Sequence, residues 1–216
     1  MISGPMRIVL PVLLFLYAPL AFAHEPVFPQ PESSRTTLPL EERQVSQAYY
    51  GTLTGVPHAY TFTVSEDEPF HLQLLLPDTK NILDEQYEPK AILVKRTTRG
   101  VREIFRLSAG ESDWPSFYEF WAGDRYLRGP EKDLTLDAGE YILEISTADN
   151  YAKYVMVVGS EERISLHYFK TVAGVYKVKQ FFGKPAVTVL QSPIVLVPLL
   201  LIIIVGFWYW RKEKHA

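Results

Sequence analysis

Histidine is the residue type here with the most chemistry to offer, and one copy holds a special place. His24 directly follows Ala21-Phe22-Ala23, a small-x-small triplet of the kind a signal peptidase cuts. Cleavage after Ala23 would leave His24 as the mature N-terminus. A terminal amine and its own imidazole chelate copper when a second histidine joins them. The partners to weigh are His58 and His71. In a strand, successive side chains alternate between faces. His71, between Phe70 and Leu72, then faces away from a core, whereas His58 shares the inward parity of Tyr60. Nothing in the spacing drives either toward residue 24. The reading adopted is a solvated terminal histidine and no metal or other cofactor, with copper binding through His24 as the alternative.

The densest aromatic stretch runs from Trp114 to Tyr126 and includes Tyr118 and Trp121. Exposed planes of this kind stack on sugar rings, so these four residues are a candidate ligand platform. The plainer reading is that the stretch fills a core and covers a sheet edge. Acidic clusters at Glu66-Asp67-Glu68 and Glu111-Ser112-Asp113 lack the alternating spacing of a calcium loop and read as solvated turns. Ser112 is not in a nucleophile elbow, the chain has no cysteine, and zincin, phosphate-loop and dinucleotide signatures are missing. Enzyme chemistry therefore has no support in the sequence, and a non-catalytic protein is expected.

The residues that must position such groups fall between two apolar ends. Pro185 to Trp210 is a run of 26 residues without a charge, closed by Arg211-Lys212-Glu213-Lys214. A hydrocarbon core about 30 Å thick takes about 20 helical residues, so this is a transmembrane helix, assigned to 186–210 with a cytoplasmic tail at 211–216. Ser192-Pro193 reads as an N-cap followed by proline at the first helical position. Residues 1–23, with Arg7 ahead of an apolar stretch, read as a signal peptide. The head is then extracytoplasmic, periplasmic or extracellular, on a single-pass protein. With no cysteine and no N-glycosylation acceptor, the location points to a bacterial or archaeal envelope.

From His24 to Ser160 there are 22 acidic and 13 basic residues, which would repel phosphates and excludes nucleic acid as a partner. Residues 24–46, with three early prolines and no period, read as an extended arm. Residues 47–160 alternate with period two, as in Tyr60-Phe62-Val64, Phe70-Leu72-Leu74-Leu76 and Tyr141-Leu143-Ile145. Turn residues separate the runs, Gly129-Pro130 among them. The expected fold is all-β: an antiparallel β-sandwich or jelly roll of about eight or nine strands, followed by the membrane helix.

Leu136-Asp-Ala-Gly-Glu-Tyr-Ile-Leu-Glu-Ile145 with Tyr154-Val-Met-Val-Val-Gly159 resembles the closing hairpin of bacterial pre-peptidase C-terminal domains. Tyr49-Tyr-Gly-Thr-Leu53 and Ala59-Tyr-Thr-Phe-Thr-Val64 resemble their opening strands. The resemblance covers about a third of the head and implies a β-sandwich accessory module with no catalytic residues to carry over. The overall layout, with Lys212 and Lys214 near the C-terminus, also resembles the p24 cargo receptors of the early secretory pathway. Those proteins normally have a disulfide and a long coiled coil, both missing here.

Residues 161–185 form a basic amphipathic neck. Lys177, Lys179, Phe181, Phe182 and Lys184 on one side of the span, and Trp208, Trp210 and Arg211 on the other, are expected at the membrane interfaces. The expected partners are the lipid bilayer and a protein or other envelope component. The function read from the sequence is a membrane-anchored, non-catalytic binding or structural module.

Overall fold

The computed structural model describes residues 20–21, 24–29, 37–78, 88–162, 164–165 and 168–214. Most of the expected signal peptide, and residues 79–87, lie outside these residues. In chain order the strands are β1 (Leu20–Ala21), β2 (Glu25–Val27), β3 (Leu38–Pro39), β4 (Gln47–Thr52), β5 (His58–Val64), β6 (Glu68–Pro77), β7 (Lys90–Thr97), β8 (Gly100–Leu107), β9 (Ser116–Glu119), β10 (Asp124–Leu136), β11 (Gly139–Ser146), β12 (Lys153–Val158) and β13 (Ile164–Ser165). Two helices follow, α1 (Tyr168–Phe181) and α2 (Pro193–Glu213), with a 3-10 segment at Ala186–Gln191 between them. The chain forms two compact units: Ala23–Tyr118 with Arg125–Arg163, and Met1–Phe22 with Glu119–Asp124 and Ile164–Ala216.

The first unit is a β-sandwich. One sheet has the order β2-β4-β12-β6-β10-β9, the other β3-β5-β11-β7-β8. The alternation seen in the sequence makes the core. Tyr60, Phe62 and Val64 of β5 and Tyr141, Leu143 and Ile145 of β11 are buried with Phe70, Leu72, Leu74 and Leu76 of β6. The Phe62 ring stacks on Phe70 at 5.6 Å and on Tyr141 at 5.4 Å. Burying a large side chain of this kind contributes about 1.5–3 kcal/mol, so the aromatic stack is a main source of stability. Strands β4, β6 and β12 are covered on both faces: Leu75, Val155 and Val157, which point away from this core, are also buried. That explains the unbroken apolar run Tyr154–Val158, since a strand covered on both sides has no polar face to show.

The arm expected at 24–46 is partly structured. Strands β2 and β3 add to the two sheets in parallel, β2 beside β4 and β3 beside β5. Leu38 and Leu40 are buried, which anchors this stretch, and proline within so short a strand is tolerated at an edge, where a missing N–H breaks no central ladder. The turn expected at Gly129-Pro130 is instead a bulge inside the 13-residue β10, where pairing with β6 shifts between Arg128 and Glu131. Gly51 is required by packing. The ring of its cross-strand partner Tyr154 lies over it, and a Cβ at residue 51 would stand 2.2 Å from the ring Cζ.

In the second unit, α1 buries Thr171, Val175, Val178 and Lys179. Helix α2 begins as the sequence indicates, with Ser192 at the cap position and Pro193 in the first turn. The Ser192 hydroxyl does not cap it, however; it donates to Trp121 O at 2.6 Å. Pro198 lies inside α2 and has no N–H to give the carbonyl of Ile194 four residues earlier. Tyr168 of α1 fills the gap by donating its hydroxyl to Ile194 O at 3.0 Å. A buried carbonyl left without a donor costs about 1–3 kcal/mol. Tyr168→Phe is therefore expected to destabilise this unit by about 1–2 kcal/mol, read as a lower unfolding midpoint of the full chain in detergent.

Candidate functional site

Polar side chains gather on the outward face of the six-stranded sheet, at the end where β2 begins. Parallel pairing of Glu25 with Gln47 sets His24 beside Ser46, and His24 Nδ1 lies 2.5 Å from Ser46 Oγ. Glu25 N donates to Ser46 O at 2.9 Å and holds this edge in place. On β12, Val158 pairs with both Gln47 and Leu72, and the following Gly159 donates its N–H to His71 O at 3.2 Å. On the far side His71 pairs with Asp133, its Nδ1 2.8 Å from Asp133 Oδ1. One register position on, Gln73 donates to Glu131. A cross-strand row of His24, Ser46, Gly159, His71 and Asp133 results, with the residue that lacks a side chain at its centre. A cavity of about 90 Å³ beside it is lined by Arg43, His71, Asp133, Ser160 and Glu161.

Electrostatics separate the two imidazoles. Burial, reinforced by the nearby His71 and Arg128, pushes the His24 imidazole down to about 4, so it is neutral at physiological pH. Asp133 is mostly exposed, so its pairing with His71 is a surface contact worth at most about 1 kcal/mol.

His58 takes no part in this row. It is buried in the core of the sandwich, with Nδ1 2.8 Å from Tyr154 Oη, and Tyr154 and Tyr60 share a hydrogen bond of 2.6 Å. Burial pushes His58 down and both tyrosines up. These are neutral groups satisfying one another inside a core, with a structural role.

The four residues of the expected aromatic platform are dispersed. Trp114 and Tyr126 are buried, 5% and 2% exposed, and Tyr126 shares a 3.0 Å hydrogen bond with Tyr50. Tyr118 is exposed and lies under Arg125 at 5.8 Å. Trp121 belongs to the other unit, edge-on to Phe120. Two indole and phenol planes are thus spent on packing.

The interface lysines need correction. Lys179 is fully buried: its Nζ lies 2.9 Å from Asp124 Oδ2 and donates to Gly123 O at 2.8 Å. Lys184 binds the other carboxylate oxygen of Asp124. Desolvation lowers the Lys179 pKa while Asp124 opposes it. Both ammonium groups therefore neutralise a buried carboxylate and do not reach toward a lipid surface. Lys177 is exposed, and Phe181 and Phe182 are half-buried. At the far end of α2, Lys212 lies over Trp208 at 5.6 Å and Lys214 over Trp210 at 4.1 Å, beside exposed Arg211.

The residue that sequence reasoning missed is Asp124. It follows Gly123 in a turn, and its partners Lys179 and Lys184 lie 55 and 60 positions away. Ser46 was missed too; its link to His24 follows from the parallel pairing of a three-residue strand. Among the described residues, no group of three or more histidines and acids is placed to hold a metal ion.

No protein-family model matches the chain, and no curated protein matches it. Among solved structures it is similar to the pre-peptidase C-terminal domain of a collagenase from Bacillus anthracis, at 14% identity over 61% of this chain and 97% of that one, with a TM-score of 0.34. It is also similar to PliG, a periplasmic inhibitor of g-type lysozyme from Aeromonas hydrophila, at 10% identity over 64% of this chain and 99% of that one, with a TM-score of 0.35. Both likenesses are weak, and the first is to the kind of domain that the closing hairpin resembles.

Proposed function

We propose that the chain is a single-pass membrane protein that displays a non-catalytic β-sandwich outside the cytoplasm as a binding or structural module of the cell envelope. The observation that carries this reading is the surface of α2. Ile202, Ile203, Ile204 and Phe207 are 56–60% exposed along a 21-residue helix long and apolar enough to cross a membrane. Such a band is untenable in water and matches a hydrocarbon core. The aromatic-and-basic cluster Trp208, Trp210, Arg211, Lys212 closes it, as interfacial anchors do. The acidic sandwich fits a protein or envelope partner better than a nucleic acid.

The natural chain has no cysteine, so single introduced thiols report topology without background. Lys132→Cys in the sandwich is expected to react with a membrane-impermeant maleimide on intact spheroplasts. Lys214→Cys is expected to react after permeabilisation alone, with both chains resisting alkaline extraction. Labelling of Lys214→Cys from outside, or release of the protein at alkaline pH, would reject the anchored topology.

A further inference from the structure

The buried carboxylate of Asp124 is held unevenly. Its Oδ1 accepts a hydrogen bond from Lys184 Nζ, whereas Oδ2 has no hydrogen-bond donor among the described residues. Yet Lys179 Nζ lies only 2.9 Å from Oδ2, with both side chains fully buried. The nitrogen therefore stands against the carboxyl group off the direction of a hydrogen bond, and donates instead to Gly123 O at 2.8 Å. A buried ion pair is favourable only when hydrogen bonds satisfy its remaining lone pairs, and here one oxygen is left out. That oxygen is the one a condensation would remove. We propose that Lys179 and Asp124 are the reactants of a self-catalysed amide bond, Nζ to Cγ, which closes residues 124–179 into a covalent ring.

The chemistry balances within the cluster. Lys179 passes one proton to Oδ2, which turns the ion pair into a neutral amine and a carboxylic acid. The amine attacks Cγ, and the N–C bond forms as the double bond to Oδ1 opens. A second proton moves from the nitrogen to the Oδ2 hydroxyl, the Cγ–Oδ2 bond breaks, and water leaves. Three features favour this course. Desolvation lowers the Lys179 pKa against the pull of Asp124, and a desolvated lysine is the better nucleophile. The fold holds the two groups in contact, which replaces a bimolecular encounter. The Lys184 ammonium sits on Oδ1, where negative charge gathers during attack. The product keeps every hydrogen bond already made: Oδ1 still accepts from Lys184, and the remaining N–H still faces Gly123 O. The orphaned oxygen and two fully buried charges are gone, while Lys184 stays partly exposed to solvent. Until the bond closes, the cluster is the ion pair described above.

The test is mass spectrometry of the full chain purified in detergent. The chain is denatured and digested once protection of its Val175 and Val178 amides from exchange has shown that α1 is folded. The peptides carrying Asp124 and Lys179 are expected as one branched species, lighter than their sum by one water molecule. Lys179→Arg keeps the charge and lacks the amine, so its two peptides should appear separately at full mass. Lys184→Met should slow the appearance of the branched peptide after synthesis by about a hundredfold, the effect of losing one donor to a developing oxyanion. Two separate peptides from a natural chain whose α1 is protected overturn the bond. So does a water deficit that persists in Lys179→Arg, which would place the loss in a succinimide at an aspartate. An unchanged rate in Lys184→Met overturns the part given to Lys184.

Discussion

Asp124→Ala is expected to destabilise the C-terminal unit by about 3–5 kcal/mol, the range seen when one partner of a buried ion pair is removed. Asp124 and Lys179 are both fully buried, so the loss would leave an ammonium group in a water-poor site with Gly123 O as its remaining acceptor. Lys184, still partly exposed, can turn to solvent; Lys179 cannot. Hydrogen exchange along α1 reads the effect directly. Amides of Val175 and Val178 should lose protection by about a hundredfold to several thousandfold in the full-length variant. Because buried charge pairs are often replaceable by apolar groups of similar volume, Asp124→Leu with Lys179→Met should recover most of that protection. Unchanged exchange in Asp124→Ala would show that the carboxylate is not the counterion of Lys179.

Gly51→Ala is expected to cost about 3 kcal/mol, at the upper end of what one added methyl does in a packed core. The new Cβ would meet two ring carbons and the hydroxyl oxygen of Tyr154 at 2.2–2.4 Å. That ring is fully buried, and its hydroxyl is shared between His58 and Tyr60, so it cannot swing aside without breaking both hydrogen bonds. For a chain of this size the unfolding midpoint should fall by about 6–12 °C. Gly110→Ala is the matched control, because a Cβ there meets nothing within 4 Å, and its midpoint should stay within about 2 °C. Equal midpoints for the two variants would mean that Tyr154 does not lie over Gly51.

The sandwich was readable because strands with one face on a core alternate, as β5 and β11 do in full. Reading failed where the physics departs from that pattern. β10 broke at Gly129-Pro130, a pair that forms turns and bulges with the same residues; only the partner strand decides between them. β2 and β3 were missed because two or three residues carry no period, and their place is set by the parallel neighbour. His71 was placed outward by parity, as observed, yet its place in one cross-strand row with residue 24 depends on strand order, which parity does not contain. The lysines of α1 show a sharper limit. Lysine beside aromatics near an apolar span reads as a lipid-facing pattern, and the same residues serve equally well to neutralise a buried aspartate. Sequence supplies the charge of Lys179 and conceals its partner.

The second unit is also discontinuous, and this bears on when the chain can fold. Its segment Glu119–Asp124 leaves the ribosome long before its partners: Lys179 follows Gly123 by 56 residues, and Ser192 follows Trp121 by 71. Chains emerge in order, so for that interval Asp124 and the Trp121 carbonyl have none of these contacts. Assembly of the unit must wait until the apolar helix has been made, and membrane insertion and completion of the fold become one late event. A chain that stalls before residue 179 would keep an unneutralised aspartate in a loop built to be buried, a mark by which an unfinished molecule differs from a finished one.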